Sequence, residues 1–122
     1  MIKEAYCSFE ISKLLKEKGF DETCYLKYDN EGYLSINYIG YVNSEKSNDD
    51  FYALAPTHQM VMAWLRKKNI SIEPSALNAH SWAYTIYKLL NNKVKELYND
   101  GGFDSYEEAA ETAIKYCLEN LI

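Results

Sequence analysis

A chain of 122 residues with 48% hydrophobic content carries enough apolar side chains for one folded core, which excludes wholesale disorder. Its net charge is −5, and Arg66 is the single arginine among thirteen basic residues, a balance that argues against a surface built to grip phosphates. No apolar run reaches the length of a membrane span, and the polar N-terminus lacks the apolar segment of a signal peptide.

In chain order, residues 8–18 have helical spacing, with Ile11, Leu14 and Leu15 on one face. Gly19 suits a left-handed stop, after which Phe20 can fold back on Leu15. Residues 23–28 and 33–39 alternate as strands, with Cys24, Leu26 and Tyr28, then Leu34, Ile36 and Tyr38, on the core side. Tyr25 and Tyr33 fall on the other face. Asp29-Asn30-Glu31-Gly32 supplies turn chemistry and makes the pair a hairpin. Residues 43–50 contain no apolar side chain and read as a solvated loop within a 43–55 connection.

Pro56 opens a second helix with Met60, Val61, Trp64 and Leu65 on its buried face. Arg66, Lys67 and Lys68 complement the carbonyl end of that helix, and Asn69 suits a left-handed stop. Residues 70–73 form a short strand ended by Pro74, and residues 75–80 a loop. Residues 81–89 alternate Trp82, Tyr84 and Ile86 against Ala83, Thr85 and Tyr87, the pattern of a strand. Asn91-Asn92 can supply positive dihedrals for a tight turn. Residues 94–98 then read as a returning strand, although the segment is also compatible with helix. Asp100-Gly101-Gly102 breaks the chain before a final helix over 103–122. Ser105 and Glu108 form its capping box. Tyr106, Ala110, Ala113, Ile114, Cys117, Leu118 and Leu121 make its apolar stripe, leaving Glu107, Glu111, Lys115 and Glu119 to solvent.

The order α-β-β-α-β-β-β-α, with hairpin-linked strands, predicts an α+β fold: a mainly antiparallel sheet with helices on one face. A single domain over 1–122 is expected, made of a helix plus hairpin over 1–42, a loop over 43–55 and an α-β-β-β-α half over 56–122.

Chemistry is sparse. His58 and His80 are the only histidines, and neither has the spacing of a metal motif. Cys7, Cys24 and Cys117 lack a C-x-x-C pair, and Cys117 falls on a buried stripe, where a thiol is normally inert. Gly101-Gly102 is flanked by Asp100 and Asp104, which would repel phosphate. Glu96, Asp100, Asp104, Glu107, Glu108 and Glu111 form an acidic run, read as a solvated helix start in preference to an imitation of DNA. No catalytic, cofactor-binding or metal-binding residue is assigned, and no cofactor is expected.

Two resemblances follow from particular residues. From Pro56 to Leu121 the order helix–three strands–helix, with Tyr106-Glu107-Glu108-Ala109-Ala110 and Leu118-Glu119-Asn120-Leu121, is similar to the double-stranded-RNA-binding domain. Glu107 and Glu108 stand where that family needs lysines, so the resemblance implies a layout and no RNA binding. Second, Tyr6-Cys7-Ser8-Phe9-Glu10, Ala55-Pro56-Thr57, Trp64-Leu65-Arg66, Trp82-Ala83-Tyr84, Ser105-Tyr106-Glu107-Glu108-Ala109 and Ile114-Lys115-Tyr116-Cys117-Leu118 resemble small uncharacterised proteins of phages and mobile elements of gut Bacteroides-type bacteria. That likeness implies a cytoplasmic accessory protein.

Tyrosine is the compositional outlier, with twelve residues. The aromatic excess without a catalytic constellation leads to a non-catalytic protein-interaction module. It would bind an unknown protein, or itself, through an uncovered sheet face and its tyrosines. Nucleic acid is disfavoured as a partner, and no membrane is expected. The alternative is nucleic-acid association through Arg66, Lys67 and Lys68 with Lys88, Lys93 and Lys95.

Overall fold

A computed structural model of the chain describes residues 2–45 and 51–122 and divides it into two units, Met1–Thr57 with Ile122, and His58–Leu121. The fold is α+β, with three helices and two three-stranded antiparallel sheets where the sequence predicts one.

In the first unit, α1 (Phe9–Glu17) starts where Ser8 Oγ accepts the Ile11 N–H at 3.2 Å. It ends in the expected Schellman pattern: Gly19 has φ 85°, and the Phe20 N–H donates to Leu15 O at 2.9 Å. The hairpin also forms, as β1 (Leu26–Tyr28) and β2 (Leu34–Ile36), shorter than its alternation predicts. Asp29 Oδ1 accepts from the Glu31 and Tyr33 N–H groups, and Gly32 has φ 88°, which closes the turn. A Cβ at Gly32 would lie 2.8 Å from the Phe9 ring, so the turn needs glycine for space as well as for its dihedral.

The expected 43–55 loop is corrected in part. β3 (Ala53–Ala55) pairs antiparallel with β1, giving the order β2-β1-β3. All three of its residues are buried, and α1 packs on it. Asn43 is buried as well: its Nδ2 donates to Phe20 O at 2.6 Å, and its Oδ1 accepts from the Leu54 N–H at 3.0 Å. Residues 46–50 of that expected loop lie outside the described residues.

In the second unit, α2 (His58–Arg66) buries His58, Val61, Met62 and Leu65. The predicted face is rotated: Met60 and Trp64 are only half-buried. Asn69 takes the left-handed stop, φ 63°, and turns the chain into β4 (Ile70–Asn78). β4 runs on through Pro74 and through most of the predicted 75–80 loop. An edge strand tolerates proline because the missing N–H faces no partner, and β4 is an edge of the order β4-β5-β6. β5 (Ser81–Leu89) pairs with β4 and with β6 (Val94–Phe103). The ambiguous 94–98 segment is therefore strand, and it continues through Asp100-Gly101-Gly102, with register shifts, where a break is predicted. Asn91 and Asn92 turn the chain without positive dihedrals, since Asn69 is the only described non-glycine with positive φ.

α3 (Tyr106–Asn120) packs on all three of these strands, and α2 packs on β4 and α3, so helices cover one face of the sheet. Directly paired residues share a face. Ile72, Ile86 and Tyr98 align across the strands, as do Pro74, Tyr84 and Asp100. This is the covered face: Tyr98 stacks on Tyr116 with ring centroids 3.9 Å apart, and Trp82 meets Tyr106 edge-on at 5.5 Å. Ala109, Ala110, Ala113, Ile114, Cys117 and Leu118 are buried along α3. Complete burial of Ile114 or Leu118 is worth about 1.5–3 kcal/mol each.

Candidate functional site

The uncovered face of the second sheet is where the sequence places a tyrosine-rich surface. Its aligned rows are Glu73, Thr85 and Asn99; Ser75, Ala83 and Gly101; and Ser71, Tyr87 and Glu96. Trp82 and Tyr84 instead point to the helices, because the alternation that aligns Tyr84 with buried Ile86 also turns it inward. Burial and the neighbouring Asp100 push the Tyr84 phenol up to about 12. Tyr87 is the only aromatic in those rows.

The most exposed aromatic side chains lie in the first unit, although Leu77, Leu90 and Val94 are exposed in the second. Tyr38 is 87% exposed and Ile39 73%, and Tyr25, Tyr33 and Leu34 are exposed beside them on the hairpin. Among the described residues β2 pairs only with β1. The Asp29 N–H donates to Tyr33 O and the Asn37 N–H to Tyr25 O. The antiparallel ladder alternates, so the backbone N–H and C=O groups of Leu34 and Ile36 face the outer edge. An open hollow of about 380 Å³ beside this strand is lined by Lys27, Asp29, Ser35, Ile36 and Tyr38. Asn37 anchors the chain past β2: its Nδ2 donates to Cys24 O and Tyr41 O, and its Oδ1 accepts from the Tyr41 N–H. The hairpin therefore presents apolar side chains from a fixed backbone.

A polar pair that the sequence reading missed lies in the second unit. His58 is 4% exposed, and its Nε2 lies 2.5 Å from Glu111 Oε2. His58 Nδ1 is buried with no hydrogen-bond partner among the described residues. One turn away on α3, Tyr106 Oη accepts from Gln59 Nε2 at 2.9 Å. The signal for Glu111 is its position three and seven residues before Ile114 and Leu118, on their side of the helix. His80 sits apart on the β4–β5 turn, exposed, its N–H donating to Asn78 Oδ1.

The thiols offer no nucleophile. Burial, joined by the charge of Glu22, pushes Cys24 up to about 12, and burial alone pushes Cys117 to the same value. Cys7 is fully buried. No group of three histidine, cysteine or carboxylate side chains suited to a metal ion occurs among the described residues, and among them no helix is long and apolar enough to cross a membrane. Comparisons of the chain with protein families, with curated proteins and with solved structures give no match.

Proposed function

We propose that the chain is a non-catalytic protein-interaction module whose contact surface is the β1–β2 hairpin of the first unit. The observation that supports this reading is the exposure of Tyr25, Tyr33, Leu34, Tyr38 and Ile39 on and beside a hairpin whose outer edge is unpaired among the described residues. Aromatic and aliphatic side chains in that setting supply the buried anchors of an interface, and an open edge adds main-chain hydrogen bonds to an incoming strand. Three buried cysteines that form no disulfide fit a reducing cytoplasm, the compartment this reading assigns. The accessory role in a phage or mobile element that the sequence resemblance implies fits such a module.

A photo-reactive amino acid at position 38, in cells expressing the full chain, tests the surface. The expected result is one discrete adduct, with either a second copy or another protein, that is lost on Leu34→Lys or Ile39→Ser. The same probe at exposed Glu119 should give no such band. Light scattering on the purified chain distinguishes self-association from a different partner. A monomer with no discrete adduct at position 38 would remove the proposal.

A further inference from the structure

Six of the seven basic side chains in the second unit (Arg66, Lys67, Lys68, Lys88, Lys93 and Lys95, without Lys115) collect at one of its ends. The fold brings them together from three elements. α2 ends at Arg66, Lys67 and Lys68 follow, and Asn69 turns the chain directly into β4 at Ile70. Ile70 lies across from Lys88, and Lys88 across from Lys95. The Leu89 N–H donates to Asn69 O at 2.8 Å, and the Leu90 N–H to Lys93 O at 2.9 Å, which ties the helix end to the β5–β6 turn.

Four of these six charges, those of Arg66, Lys88, Lys93 and Lys95, are not offset by an ion pair among the described residues. Lys88 and Lys95 are a like-charge pair directly across two strands, an arrangement that costs stability. Lys68 Nζ lies 4.7 Å over the Trp64 ring, a contact that leaves its charge in place. Glu96 lies across from Tyr87 on the other face, where its Oε2 accepts from Asn99 Nδ2 at 3.2 Å. The acidic start of α3 belongs to the far end of the sheet, where Trp82 meets Tyr106. Nine-residue β4 runs between the two ends, roughly 26 Å.

We propose that this basic end docks on the phosphate backbone of double-stranded DNA. A duplex carries a dense row of phosphates, and lysines are point charges that meet phosphates without reading base edges. Trp64 is overlain by Lys68, and Tyr87 belongs to the opposite face of the sheet from Lys88 and Lys95, so neither ring is a stacking platform for single-stranded bases beside the basic cluster. Apart from Glu96, which is on the opposite face of the sheet, the acidic run lies toward the other end and does not oppose the docked backbone. This surface is in the other unit from the hairpin of the proposed function, so either can fail without the other.

The test is fluorescence anisotropy of the full chain with a labelled DNA duplex, from about 50 to 200 mM salt. About five phosphate contacts predict a slope of about −4 to −5 in log K against log salt. K88Q/K95Q should weaken binding at low salt by about tenfold or more and make the slope shallower by about 2. The same variant should melt no lower than the parent, because it removes a like-charge pair. K93Q, on the exposed turn, is a second variant and should make the slope shallower by about 1. K3Q, in the other unit, should bind as the parent does. No binding at low salt, an unchanged slope in the lysine variants, or tighter binding to an RNA duplex of the same sequence would overturn the proposal.

Discussion

His58 and Glu111 join α2 to α3 through a short polar contact. His58 is buried and Glu111 is half-exposed, so the pair lies between a core ion pair and a surface one. Removing one partner leaves the other short of a hydrogen bond in a poorly solvated place, whereas replacing both with apolar groups removes the need. Glu111→Leu alone should therefore destabilise by about 1–3 kcal/mol, less than a wholly buried pair would. The double variant His58→Leu/Glu111→Leu should recover most of that loss. Urea unfolding of these two variants and of His58→Leu checks it, and a double variant as unstable as the sum of the singles would mean that the pair carries no coupling. Part of this site was legible. Glu111 keeps the spacing of Ile114 and Leu118, but a carboxylate on a helix is read as solvated until a partner is placed beside it. The hairpin residues divided similarly. Tyr25 and Tyr33 were assigned to the outer face of the hairpin, and both are exposed. Alternation puts Leu34 and Tyr38 on the core side, yet both are exposed: β2 stops at Ile36 and is an edge strand among the described residues.

Elements with local chemistry at their ends were the readable ones. α1 with Ser8 and Gly19, the hairpin turn with Asp29 and Gly32, and α2 with Asn69 are each bounded by a residue whose side chain or dihedral does the bounding. β3 was not readable, because Ala53-Leu54-Ala55 has little intrinsic strand preference and becomes strand by pairing with β1. Pro74 and Gly101-Gly102 read as breaks, and tertiary pairing with β5 overrode both. The cap of α3 was legible in type and differs in detail. Ser105 Oγ accepts the Glu108 N–H at 3.1 Å, but Glu108 Oε2 accepts from the Asp104 N–H and not from that of Ser105. Ser105→Ala should therefore destabilise by about 1 kcal/mol, while Ser105→Gly should cost only a few tenths. Chemical denaturation of both variants checks the order. Equal losses would place the effect of Ser105 outside its cap.

Across the whole molecule, each unit encloses a thiol whose ionisation burial opposes, Cys24 in the first and Cys117 in the second. The α+β class follows from short-range pattern, but the split into two sheets does not, since it depends on β3 returning to β1 across 24 intervening residues. That closure leaves each unit with its own buried residues, and it gives alkaline pH a route to both. For each thiol the folded-state value, about 12, lies above the ordinary 9.0. The stabilisation from keeping the neutral thiol buried is thus complete below pH 9 and is lost as pH rises from 9 toward 12. Tyr84, moved from 10.0 to about 12, acts in the same direction over the upper part of that range. Stability should fall above pH 9, with Cys117 alone accounting for about 2 kcal/mol by pH 10.5. Cys117→Ala separates this effect from general alkaline repulsion. The variant should be less stable than the parent at pH 7, because it leaves space in the α3 core, but its stability should decline less steeply above pH 9. Urea melts of both proteins at pH 7, 9 and 10.5 measure the difference. Parallel declines would show that ionisation of Cys117 does not limit the alkaline stability of the fold.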